Sequence, residues 1–200
     1  MSNKRWPRHT DEDVAIDALL DAAGRAFADL GVAKASMVDI CRYAGCSRAT
    51  LYRYFANQRE LHFAFVHRAT LRIGEAMAAA RGAEPDDPAT VLADRIVRGL
   101  RAVRTDPMLA VWFEPENVAV PLAVSQDSEV LQAGAAAAID ALTGGHLAPD
   151  ELTRRGAWMM RSIVSFLALP APDDATERDA IESFVVPVLI ADRTTTGSQQ

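Results

Sequence analysis

The stretch SMVDICRYAGCSRATLYRYFANQREL, residues Ser36 to Leu61, holds two helix starts separated by a glycine. At Ser36 and Asp39, three residues apart, a hydroxyl can accept an exposed backbone N–H while a carboxylate answers the positive helix end. Val38, Ile40, Cys41 and Ala44 give this first short helix an apolar stripe, which ends at Gly45. Ser47 caps the next helix, in which Leu51 and Phe55 point inward and leave Arg48, Thr50, Arg53 and Tyr54 on outer faces. Glycine tolerates positive φ, so the chain turns sharply at Gly45 and sets one short helix across the other, a helix-turn-helix. In such a corner the second helix enters the major groove of B-form DNA. Its first residues, here Ser47, Arg48, Ala49 and Thr50, meet base edges.

The side-chain chemistry points the same way. All 3 tyrosines of the 200-residue chain, Tyr43, Tyr52 and Tyr54, fall in this stretch. From Ile40 to Arg59 there is no acidic residue, while Arg42, Arg48, Arg53 and Arg59 lie inside. The net charge of -6 hides an asymmetry: residues 1–72 hold 11 Lys and Arg against 8 Asp and Glu, and the remainder hold 10 against 19. A local basic patch is what attraction to phosphates requires, whatever the whole molecule carries. An ordinary solvated helix face would carry the same charges.

Working outward, Thr10 with Asp13 opens a helix in which Ile16, Leu19, Leu20, Ala23, Phe27 and Leu30 recur at three and four, and Gly31 closes it. Asn57 and Glu60 open a fourth, long helix to about Arg81, which links the two halves of the chain. After the breakers Glu84, Pro85, Asp86, Asp87 and Pro88 come helical stretches at 89–105, 107–114, 118–143, 149–169 and 174–192. No segment alternates as a strand does. The expected fold class is all-α: a three-helix DNA-binding domain over 1–57 with an N-terminal arm 1–9, a helical domain over 58–193, and a disordered tail 194–200. Two cysteines, Cys41 and Cys46, are too few for a secreted disulfide framework. With no signal peptide or spanning segment in the sequence, the expectation is a soluble, cytoplasmic protein without a membrane partner.

The run AAGRAFADLG, Ala22 to Gly31, together with Ser36 to Leu61, resembles the TetR family of bacterial transcriptional regulators over about a quarter of the chain. The resemblance implies a homodimer whose two corners occupy successive major grooves of a palindromic operator, with C-terminal helices forming a small-molecule pocket and the dimer contact. Carried over, Arg48 and Thr50 resemble base or phosphate contacts, with Arg53 beside them. Tyr52 and Tyr54 resemble phosphate contacts, and Ser36 caps the helix that steps across the backbone. A hydroxyl on a rigid ring bonds a phosphate oxygen with little rotamer entropy lost. Gln58 stands where the family usually places a phosphate-binding lysine; Arg59 is the candidate substitute, and the helix N-terminus can still hold a phosphate. In the arm, Lys4, Arg5 and Arg8 around Trp6 suit a minor groove, or simply a solubilising terminus.

Other chemistries find less support. Cys41, Cys46, His62 and His67 could suggest a metal or redox site, but His62 and His67 are five apart and do not share a helix face. Cys41 and Cys46 read as small packing residues. No phosphate-cradling glycine loop, nucleophile elbow or paired carboxylates mark an enzyme, and no cofactor is implied. Met108, Trp112, Phe113, Met159, Ile163 and Phe166 are the candidate ligand-pocket residues, since thioethers adjust and rings give broad contact, which suggests a largely apolar effector; core packing is the other reading. Trp158, Phe184 and Val188 are assigned to a two-fold dimer interface, because the last two long helices are apolar on more than one face. Pro187 should bend the last helix. The sequence supports a ligand-released repressor. An activator or a ligand-independent regulator of the same fold stays open, as does an all-helical binding protein or enzyme whose corner contacts protein.

Overall fold

The computed structural model describes residues 10–79 and 87–191, and every regular element among them is helical. The arm 1–9, the breakers Glu84 to Asp86 and the tail 194–200 lie outside the described residues. Helix α1 (Thr10–Leu30) gives way to Gly31, whose φ of 82° lies in the left-handed region. Helix α2 (Met37–Ala44) begins in a reciprocal cap, with Ser36 Oγ accepting the Asp39 N–H at 3.3 Å and the Asp39 carboxylate accepting the Ser36 N–H at 3.1 Å. Gly45 comes next with a φ of 64°, and the Cys46 N–H reaches back to the Cys41 carbonyl at 3.1 Å. Helix α3 (Arg48–Tyr54) is capped by Ser47, whose Oγ accepts the Thr50 N–H at 3.1 Å.

Leu19, Leu20, Ala23 and Phe27 of α1, Ile40 and Cys41 of α2, Leu51 of α3 and Leu61 and Phe65 of α4 (Gln58–Ala79) close one core. The apolar face of α2 is rotated from the expected one. Met37, Ile40 and Cys41 are buried whereas Val38 is 41% exposed, because 37, 40 and 41 share a helix face and 38 lies about 100° round it. Leu30, the last residue of α1, is also exposed. The same core extends to Trp112, Val124 and Leu131, so the helix-turn-helix is continuous in packing with the C-terminal helices.

Asp87 caps α5 (Pro88–Thr105), which leads to the one-turn α6 (Pro107–Ala110) and a 3-10 turn at Val111–Phe113. The stretch expected as one helix over 118–143 is two, α7 (Ala119–Asp127) and α8 (Glu129–Thr143). The break falls at Ser128, whose extended backbone lets its hydroxyl cap the Leu131 N–H at 3.3 Å. Helices α8 and α9 (Pro149–Ala168) approach closely at Gly156, where a Cβ would lie 2.7 Å from the Gln132 carbonyl oxygen. The final stretch also divides, into α10 (Asp174–Ala180), a wide π turn at Ile181–Val185 and α11 (Val186–Ile190). Pro187 falls in the first turn of α11, where its missing N–H costs no helical bond, and the π turn absorbs the misfit before it.

Leu92, Ile96 and Leu100 of α5, Ile139, Leu167, Ile181, Val185 and Leu189 form a second core. Arg155, 3% exposed, donates to the Leu189 and Ala191 carbonyls at 2.8 and 2.7 Å and so satisfies the end of α11. Its Nε pairs with Glu151, and Arg155 and Arg154 together hold that carboxyl down at about 2. Among the described residues no helix is long and apolar enough to cross a membrane.

Candidate nucleic-acid interface and ligand cavity

Arg48, Ala49, Tyr52 and Arg53 are exposed on one end of the molecule, with Thr50 and Tyr54 half-buried beside them. Arg53 donates to the Tyr54 hydroxyl at 2.7 Å and its guanidinium lies 4.7 Å from that ring's centre, so the two act as one rigid cationic pair. Thr50 and Ser47 share a hydrogen bond at 2.9 Å between their hydroxyls. Ser36 is spent inside the helix start, its hydroxyl 2.5 Å from the Asp39 carboxylate, which this contact holds below the usual carboxylate range. Tyr43 is turned away from the others: its hydroxyl donates to Asp29 at 2.7 Å, tying α2 to α1, and that bond raises its pKa. Cys41 and Cys46 pack within or against the first core, and burial pushes the Cys46 thiol up.

At the start of α4 the two side chains expected near phosphate have partners within the chain. The Gln58 amide donates inward to the Ala35 carbonyl at 2.9 Å, and Arg59 pairs with Asp127 at 2.8 Å while lying over the Phe63 ring. Gln58 thus ties α4 to the turn before α2, and Arg59 ties α4 to α7.

A second fastening is Asn117, 3% exposed, whose Oδ1 accepts the Ala33 N–H at 3.0 Å while its Nδ2 donates to the Val111 carbonyl at 2.9 Å. A Cβ at Gly31 would come within 3.2 Å of the same amide. Nothing in the apolar periodicity marks Asn117, because it lies in a loop. Helices α1 and α4 are joined further by Arg68, which meets Asp17 and Asp21 at 3.1 and 2.9 Å.

A cavity of about 590 Å³ opens between α7, the loop before it and α9, lined by Phe113, Val118, Leu122, Val164, Leu169 and Arg161 among others. Of the six candidate pocket residues, Phe113 alone lines this cavity. Trp112 is 2% exposed, stacked on Phe65 and edge-on to Phe27 and His62; Met108 packs in the same core against Gly24. Met159, Ile163 and Phe166 pack on the second core. On a helix, residues 161, 164, 165 and 168 fall on the face opposite 159, 163 and 166, so Met159, Ile163 and Phe166 turn to the second core and leave the cavity to Arg161, Val164, Ser165 and Ala168.

The sequence profile described as bacterial regulatory proteins, tetR family, matches residues 19–65, which span most of α1 through the first turns of α4. An uncharacterised HTH-type transcriptional regulator of Mycobacterium tuberculosis is 39% identical over 189 residues, covering 94% of this chain and 92% of that protein. The chain belongs to the TetR family. It is accordingly a DNA-binding transcriptional regulator and not an enzyme. The fold is also that of TetR-family structures: the repressor AlkX of a Dietzia strain, implicated in biodegradation of n-alkanes, gives a TM-score of 0.63 at 20% identity over 94% of this chain and 97% of that one. RolR in complex with resorcinol gives 0.61 at 20% identity, over 95% and 99%.

In this TetR-family chain the residues assigned to a dimer contact are open to solvent. Trp158, Phe184 and Val188 are 43%, 72% and 52% exposed. Trp158 and Val188 line one shallow groove together with Pro187 and the Glu151–Arg154 ion pair.

Proposed function

We propose that this regulator is a repressor that holds a palindromic operator as a cytoplasmic homodimer and releases it when a small, largely apolar molecule enters the cavity beside α7. The observation carrying this reading is that the cavity wall is fastened at one end to the turn before the helix-turn-helix and at the other to the first turn of α4. Asn117, between the lining residues Pro115 and Val118, grips the Gly31–Ala33 turn, and Asp127, next to lining residue Gln126, grips Arg59. A ligand that moves this wall changes where the corner stands, and by linkage weakens operator binding by the same coupling free energy. Helix α4, which follows α3 directly, carries the Arg59 contact on to the helix-turn-helix. Arg48 and Thr50 read bases, while Tyr52 and the Arg53–Tyr54 pair hold phosphates. Trp158, Phe184 and Val188 of each copy meet across the two-fold axis. RolR, whose structure holds resorcinol, supports the choice of a small organic effector.

Selection of bound genomic fragments, with fluorescence anisotropy on the recovered duplex, tests the reading. The expected result is salt-dependent binding of two copies to an inverted repeat, reversed by a compound related to the neighbouring genes. Binding by one copy to sites without symmetry would reject it.

A further inference from the structure

Arg161 distinguishes this cavity from a merely greasy cleft. It is the one charged side chain among the lining residues, whose polar members are otherwise Ser125, Gln126 and Ser165. The other described arginines of α5 to α11 are engaged. Arg101 meets Asp174, Arg104 meets Glu177, Arg154 and Arg155 meet Glu151, Arg178 meets Asp94 and Glu182, Arg98 donates to a carbonyl, and Arg95 has a partner as well. Arg161 makes neither an ion pair nor a hydrogen bond among the described residues, although residues 73–200 hold 19 acidic against 10 basic side chains. Two nearby carboxylates have other partners: Asp127 is taken by Arg59, and Glu114 faces the Asn117 amide at 3.5 Å. The rest of the wall is Phe113, Val118, Leu122, Val164 and Leu169, and Leu122 and Leu169 stand at the rim 44% and 77% exposed. Leaving two large apolar side chains and an unpaired guanidinium around one opening suits an occupant that is itself half apolar and half anionic.

Resting on the cavity reading above, we propose that the effector is an amphipathic carboxylate, its carboxylate bound by Arg161 and its apolar body laid between α7 and α9. The volume of about 590 Å³ falls inside the range usual for small-molecule sites, roughly 300 to 1,000 Å³. A guanidinium holds a carboxylate through two parallel N–H donors, which fixes the head and lets the body vary.

The test is calorimetric titration of the full-length protein with decanoate and with decan-1-ol, repeated on Arg161→Gln. Decanoate should bind the unaltered protein more tightly than the alcohol. Arg161→Gln should weaken decanoate roughly tenfold, as loss of a partly solvated charged hydrogen bond does, and leave the alcohol unchanged. Equal affinities with no effect of Arg161→Gln would overturn the anionic assignment while leaving an apolar cavity. Failure of both probes on the unaltered protein would overturn the cavity reading and this proposal with it. A shift in the monomer–dimer equilibrium by sedimentation, with decanoate affinity intact, would reassign Arg161 to the subunit contact.

Discussion

His62 is the residue at which the first core is most sensitive to its surroundings. It is 8% exposed between the rings of Phe27 and Trp112, and its Nε2 has no hydrogen-bond partner among the described residues. Burial lowers its pKa from 6.5 to about 4, so at neutral pH the ring is uncharged. The unfolded chain therefore binds a proton that the folded chain refuses, and this site's contribution is intact above pH 6.5 and is lost as pH falls through 6.5 towards 4. The loss reaches on the order of 3 kcal/mol. Urea unfolding at pH 7 and pH 4.5 should show His62→Leu losing less stability on acidification than the unaltered protein; parallel losses would contradict the assignment. In the sequence His62 reads only as a poor metal candidate, since an aromatic cage completed by Trp112, 50 residues away in the chain, leaves no local mark. Arg48, by contrast, is legible locally, because the cap at Ser47 fixes where the helix starts and hence which side chains lead it. Arg48→Ala should relax preference at one operator position at a cost of about 1 to 3 kcal/mol, read by anisotropy on single-base operator variants.

Elements are legible where a cap and a glycine bracket a short apolar stripe, as in α2 and α3, and less so where the stripe stands alone. The break at Ser128 lies within the polar run from Ser125 to Glu129, but helical apolar spacing resumes on both sides of that run, and backbone geometry shows that the serine caps a new helix. Likewise α9 turns Met159, Ile163 and Phe166 to the second core and its opposite face to the cavity, a division set by which neighbours cover it. Gly156 is the position where α9 meets α8 without room for a methyl group: a Cβ there would lie 2.7 Å from the Gln132 carbonyl oxygen and 3.0 Å from the Ala136 nitrogen. Backbone on the far side cannot rotate away as a side chain would. Gly156→Ala should therefore destabilise by roughly 1 to 3 kcal/mol despite the better helix propensity of alanine, measured as a lowered urea midpoint. Gly99, in the interior of α5 with open space around it, is the control, and Gly99→Ala should hold or raise the midpoint.

For the whole molecule, the opposite charges of the two ends and the continuous helical pattern give the architecture, while the proposed subunit contact and effector site rest on surfaces assembled from distant segments. Phe184, 72% exposed beside Val188, is the apolar residue to probe on the expected two-fold face. Phe184→Glu should place two like charges across that axis and give monomers by sedimentation equilibrium, with helicity by circular dichroism unchanged; a persistent dimer would move the contact elsewhere. The Asn117 amide has a practical corollary. Because one side chain grips the Ala33 N–H and the Val111 carbonyl together, the reading head is not a detachable module. Chimaeras that graft residues 10–57 onto a foreign sensor body would strand the Ala33 amide unless the new body brings an equivalent carboxamide at the same seam. Hybrid biosensors built from this chain should be cut with that match preserved.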